Sequence, residues 1–179
     1  MKFPRATHLV VLCRAGRGSE VYRRLKLWLE RRKLKLNEEK TRVVNFEEDG
    51  LEFLGFRLSW RKGSSGRNYP HCEPSAKSAH KLREAVREET AGDTLWKEPE
   101  EVIRRINQRM RGWAGYFHYG NSPRVMAKLQ WYVEARVGRW LWKKYAKIRG
   151  RHAPEHTREQ LRKRYGLYRM PHHAAYGKP

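Results

Sequence analysis

Apolar residues recur at two different periods along this chain, and the change of period divides it. The first third reads mainly as strands. Leu9-Val10-Val11-Leu12-Cys13 predicts a short buried strand, closed by Ala15-Gly16-Arg17-Gly18. Ser19 is the expected cap of a helix running to about Lys33, with Val21, Tyr22, Leu25 and Leu29 at helical spacing. Asn37 and the Glu-Glu-Lys after it mark a turn. Thr41 to Glu47 alternates and is rich in β-branched residues. Asp49-Gly50 follows, and Leu51 to Leu58 alternates again, which predicts a hairpin. Arg61 to His71 is rich in Gly, Ser and basic residues and predicts a mobile loop.

Beyond it the period becomes helical. Pro74-Ser75 opens a helix with Ala79, Leu82, Ala85 and Val86 inward, ending near Ala91-Gly92. A second starts at Glu98-Pro99, where proline suits the first turn and acids suit the helix N-terminus. Its apolar stripe is Val102, Ile106, Met110, Trp113 and Phe117. Gly120-Asn121-Ser122-Pro123 breaks it, and Ser122 is the expected cap of a third helix carrying Val125, Leu129, Val133, Val137 and Leu141. A short helix near Thr157 to Tyr165 and a loose basic tail complete the chain. The pattern predicts an α+β fold, mainly α, with a small N-terminal hairpin region followed by helices.

Charge changes the picture most. The 179 residues hold 41 Lys+Arg against 19 Asp+Glu, a net charge of +22. Such an excess attracts polyanions, and nucleic acid is the default partner, with DNA beside RNA as a candidate. The charge is uneven: residues 101–151 hold thirteen Lys/Arg and two acids, so half the excess lies in that one helical segment. An apolar fraction of 39% with seven Trp is enough for a core. The longest apolar run, Leu9 to Cys13, is far short of the roughly 20 residues that cross a bilayer, and no apolar leader opens the chain. Two cysteines far apart in the chain predict free thiols in a reducing cytoplasm. The chain has two aspartates, Asp49 and Asp93. Metal-dependent phosphoryl transfer needs clustered carboxylates, so composition counts against a self-sufficient polymerase or nuclease.

The helical segment interleaves cations and aromatic rings, as nucleic-acid surfaces do to hold phosphates and exposed bases. The cationic candidates are Arg104, Arg105, Arg109 and Arg111 on the second helix. On the third they are Arg124, Lys128, Arg136, Arg139, Lys143 and Lys144, with Lys147 continuing the row. The aromatic candidates are Trp113, Tyr116 and Trp142. Core packing is the more ordinary use of Trp113, which sits on the apolar stripe; for Trp131 and Trp142, off it, packing and contact weigh equally. His152 and His156 have metal-like spacing, but Pro154 between them spoils it. No metal, no cofactor and no catalytic constellation is expected.

One run is more specific. Ile106-Asn107-Gln108-Arg109-Met110-Arg111-Gly112-Trp113-Ala114-Gly115-Tyr116-Phe117 resembles the signature of the maturase-specific domain, domain X, of group II intron-encoded proteins. Lys128-Leu129 and Arg136-x-x-Arg139-Trp140 look like its continuation. Leu51-Glu52-Phe53-Leu54-Gly55-Phe56 is similar to the primer-grip hairpin of the reverse transcriptase palm in that family, which makes Phe53, Leu54, Gly55 and Phe56 primer-grip-like. The resemblance implies a palm remnant over 1–72, a thumb-like helix over 73–97, domain X over 98–170 and a flexible tail over 171–179. Family members carry Tyr-Ala-Asp-Asp just before a strand like Leu9 to Cys13; here the place reads Arg5-Ala6-Thr7-His8, without either metal-binding aspartate. The chain thus resembles the last third of such a protein, without fingers or most of the palm. The resemblance implies binding of a structured intron RNA and assistance to its splicing, without polymerase activity. Two readings stand beside it: a reverse transcriptase fragment needing a complementing palm, and a non-specific basic binder or decayed remnant. The early strands lack their usual neighbours, so self-association through residues 9–58 is also expected.

Overall fold

A computed structural model describes residues 9–149, 157–171 and 173. The Arg5–His8 stretch, the His152–His156 pair and most of the 171–179 tail lie outside the described residues. The chain divides into two compact units, residues 1–71 and 72–179.

In the first unit, α1 spans Gly18–Arg31. Its cap falls two residues earlier than expected: Arg17 takes the cap position and Ser19 lies inside the helix, while Glu20 in the first turn pairs with Arg17 and Arg24. None of its residues is buried. Strands β1 (Leu51–Phe53), β2 (Phe56–Lys62) and β3 (Asn68–Pro74) form a sheet in the order β1-β2-β3, with β3 leading across the division between the units.

Four expectations for this region change. Leu9 to Cys13 is not a strand, and Leu9, Val10, Val11 and Leu12 are all exposed. An extended segment becomes a strand only when a neighbour takes its N–H and C=O groups, and none does so among the described residues. Thr41 to Glu47 is likewise irregular, although it alternates. The hairpin turns instead at Leu54-Gly55, both at positive φ (48° and 83°), the geometry of a tight two-residue turn, with Phe53 opposite Phe56. The 61–71 loop is mostly strand: a Gly63–Arg67 turn, closed by Gly63 N–H donating to the Arg67 carbonyl at 2.9 Å, joins β2 to β3.

The second unit holds every buried apolar side chain among the described residues, from Ala79 to Met170. Helix α2 spans Ala76–Glu89, opening where Pro74-Ser75 predicts it; the Ser75 hydroxyl accepts from Ser78 N–H. A 3-10 turn, Gly92–Thr94, leads to α3 (Pro99–Phe117), α4 (Pro123–Arg149) and α5 (Arg158–Tyr165). The stripe on α3 is inside: Val102, Ile103, Ile106, Met110 and Ala114 are all but inaccessible. Opposite them lie Leu129, Val133, Val137 and Leu141 of α4, Leu82 and Val86 of α2, and Leu161 of α5. Each such side chain contributes about 1.5–3 kcal/mol by leaving water. Thr157 and Gln160 make a reciprocal capping box at the start of α5.

Ser122 stands at the cap position of α4, its carbonyl accepting from Met126 N–H at 3.0 Å, but its buried hydroxyl has no partner among the described residues. Asn121 fixes the corner instead, donating its N–H to the Cys72 carbonyl at 2.6 Å and accepting from Cys72 N–H. Gly120 beside it has φ +63°, and a Cβ there would lie 2.5 Å from the Cys72 carbonyl oxygen, so the corner requires glycine.

Candidate nucleic-acid interface

The sequence places ten cations and three aromatic rings on α3 and α4, and the structure sorts them into inward and outward sets. Arg136, Trp140 and Lys144 recur at four-residue steps on α4 and face the connection between α2 and α3. Arg136 donates to the Thr90 hydroxyl and carbonyl (3.1–3.2 Å), which puts a cation on the last turn of α2. Trp140 Nε1–H donates to the Thr94 hydroxyl at 3.0 Å, and Lys144 Nζ–H donates to the carbonyls of Leu95 and Lys97. These three side chains tie down residues 90–97.

The specific run on α3 is also partly internal. Asn107 donates to the Gly166 carbonyl at 2.8 Å and accepts from Tyr168 N–H at 2.7 Å, holding the segment after α5. Trp113 is half-buried, stacks at an angle on Phe117 and donates its indole N–H to the Ser78 carbonyl, clipping α3 to α2. Arg109 pairs with the buried carboxylate of Glu89 at 3.2 Å, and Arg105 with Glu101 at 2.6 Å. Arg104, Arg111 and Tyr116 are exposed, and the Arg111 guanidinium lies 5.3 Å from the centre of the Tyr168 ring.

On α4 the outward set is Arg124, Lys128, Arg139, Trp142 and Lys143. Trp131, off the apolar stripe, joins them at 59% exposed, and Trp142 is 44% exposed. Its emergence is readable afterwards from spacing: Leu129, Val133 and Val137 already fill the inward face, and position 131 falls opposite. Arg83 of α2 and Arg158 of α5 border the same face but belong to other helices, so no α4 periodicity reveals them.

The two buried acids of this unit, Glu89 and Glu134, are engaged internally. Glu134, 3% exposed, accepts from Gln130 Nε2–H at 2.9 Å, from Arg162 and, more loosely, from Arg158 at 3.4 Å. Arg124, Lys128, Arg139 and Lys143 meet no carboxylate among the described residues. Their field is therefore available to an external anion.

Two glycines break the helix rule on the exposed side of α3. Gly112 lies inside the helix and Gly115 in its last turn, and a Cβ at either would meet nothing within 4 Å. Gly112→Ala is expected to raise stability by about 1 kcal/mol, because alanine loses less backbone freedom in a helix. A thermal melt checks this; a fall in stability would mean that the position is packed.

Cys13 and Cys72 are free thiols, and burial raises the Cys72 thiol above its ordinary range, which makes it a poor nucleophile. Among the described residues no three His, Cys, Asp or Glu side chains gather as a metal set, and no helix is long and apolar enough to cross a membrane. Phe53, Leu54, Gly55 and Phe56 lie together at the tip of the β1–β2 hairpin, in the first unit.

No curated protein matches the chain. The maturase-specific domain of group II introns matches residues 79–165. The match begins inside α2, includes all of α3 and the inward and outward sets of α4, and stops at the last residue of α5. Residues 79–165 thus carry the pattern of the group II intron maturase-specific domain, consistent with the C-terminal part of a group II intron maturase.

Proposed function

We propose that this protein binds a structured group II intron RNA and helps it fold and splice, with no polymerase activity of its own. The carrying observation is the division of charge on the maturase-specific domain. Glu89 and Glu134 are covered by arginines of the same unit, while Arg124, Lys128, Arg139 and Lys143 stand outward without an ion pair among the described residues. A rigid cationic helix lowers the repulsion between RNA helices brought close together. Phosphate contacts of this kind position RNA, and no protein side chain needs to react, because the RNA supplies the chemistry. The test is splicing of a group II intron RNA at a magnesium concentration too low for the RNA alone. Stoichiometric protein is expected to restore splicing; RNA that is bound but splices no faster would overturn the proposal. Incorporation of dNTPs by the purified chain would overturn its second clause.

The first unit favours a second reading, in which this part of the chain is completed by another polypeptide. Helix α1 buries nothing, and Leu9, Leu12, Val43 and Val44 are exposed, so the unit leaves apolar surface uncovered. This reading predicts dimers or larger species in sedimentation at high concentration. A clean monomer would contradict it.

A further inference from the structure

We propose that the outer face of α4 between Trp131 and Trp142 is a stacking site for unpaired RNA bases. The proposal rests on the RNA-binding reading and names the part of the RNA this face takes: a single strand, not a duplex.

Eleven residues separate the two tryptophans, close to three helical turns, so their rings emerge on the same side of α4 about 16 Å apart along its axis. Between them lie Ala135 and Gly138, small residues that leave the floor of the face low. The N-terminal turn of α5, with Thr157 and Leu161, walls one side, and the cleft so formed encloses about 430 Å³. Trp131 also borders a second recess of about 520 Å³, together with Arg83, Lys128 and Tyr132. Neither indole is needed for the core, which Leu129, Val133, Val137 and Leu141 already fill on the opposite side of the helix.

The chemistry at the edges selects the occupant. Arg139 and Arg158 border the cleft, and Arg83 and Lys128 border the second recess. The one carboxylate in the cleft wall, Glu134, is 3% exposed and already bound to Arg162 and Arg158. A ligand here must therefore offer anionic groups at the edge and flat apolar groups at the centre. Single-stranded RNA has both, whereas a duplex keeps its bases stacked on one another and presents only phosphates and groove edges. A protein segment would cover the indoles equally well but gains nothing from four surrounding cations unless it is acidic.

The experiment uses the full chain and an oligoadenylate of about twelve nucleotides carrying 2-aminopurine at one position, beside a duplex of equal length. Trp131→Ala and Trp142→Ala are each expected to weaken single-strand binding about tenfold, with duplex binding unchanged. Trp131→Phe keeps a flat ring and is expected to retain most of the affinity. Both positions are exposed, so circular dichroism of the variants is expected to match the parent. Wild-type affinity of both alanine variants for the single strand, with duplex binding intact, would overturn the stacking site and leave the RNA-binding reading standing. Absence of binding to either RNA by the parent chain at low salt would overturn both. Variants that change sedimentation while binding RNA normally would assign the face to protein association and overturn the stacking site.

Discussion

Glu134→Ala is expected to lower the stability of the helical unit by about 3–5 kcal/mol, the usual cost of stranding one side of a buried ion pair. The carboxylate is 3% exposed and is the meeting point of Gln130, Arg162 and Arg158. Gln130 in turn accepts from Met170 N–H at 3.0 Å and donates to the Tyr168 carbonyl. Two linked side chains of α4 thus fix α5 and the segment after it. Its loss leaves the Arg162 guanidinium, two-thirds covered, without its nearest anion. Urea unfolding followed by circular dichroism measures the effect. The double variant Glu134→Leu, Arg162→Leu removes both charges and is expected to recover much of the loss, because no ion is stranded. A single variant within about 1 kcal/mol of the parent would show that α5 docks by apolar contact alone.

Arg139→Ala with Lys143→Ala is expected to weaken binding to structured RNA by about tenfold to a hundredfold and to flatten the salt dependence by about two phosphate contacts. Both side chains are exposed, one helical turn apart, and neither has a carboxylate among the described residues. Stability should be unchanged, since neither supports the fold. Arg136→Ala and Lys144→Ala have the opposite expectation. Arg136 holds Thr90, and Lys144 holds two carbonyls of residues 95 and 97, so their loss acts first on stability. Equal loss of RNA affinity in both pairs at unchanged stability would show that the inward and outward sets are not distinct.

Sequence periodicity identifies the helices of the second unit well, because each carries a continuous apolar stripe and a recognisable stop or start. Ser75, Pro99, Thr157 and the Val102–Phe117 spacing all read directly. The strands read poorly. Leu9 to Cys13 and Thr41 to Glu47 have strand-like composition, but a strand exists only through a partner, and partners are set by tertiary placement. The candidate interface was half legible. Its charge and aromatic content are in the composition, and its location on α3 and α4 follows from the charge distribution. Which cation faces out is not, because a row at four-residue steps can face a carbonyl as readily as solvent. Arg136 and Lys144 turn to the 90–97 connection, whose course no local pattern reveals. Asn107 shows the same lesson for the signature run: it reads as part of a functional motif, and its side chain holds the backbone at Gly166 and Tyr168.

The most direct test of the central claim, that the helical unit recognises a structured intron RNA, is a competition for the chain between a group II intron RNA and an unrelated duplex of equal length at moderate salt. The intron RNA is expected to be retained at least tenfold more tightly. Equal affinity for the two would contradict it and leave only a basic surface that binds any polyanion.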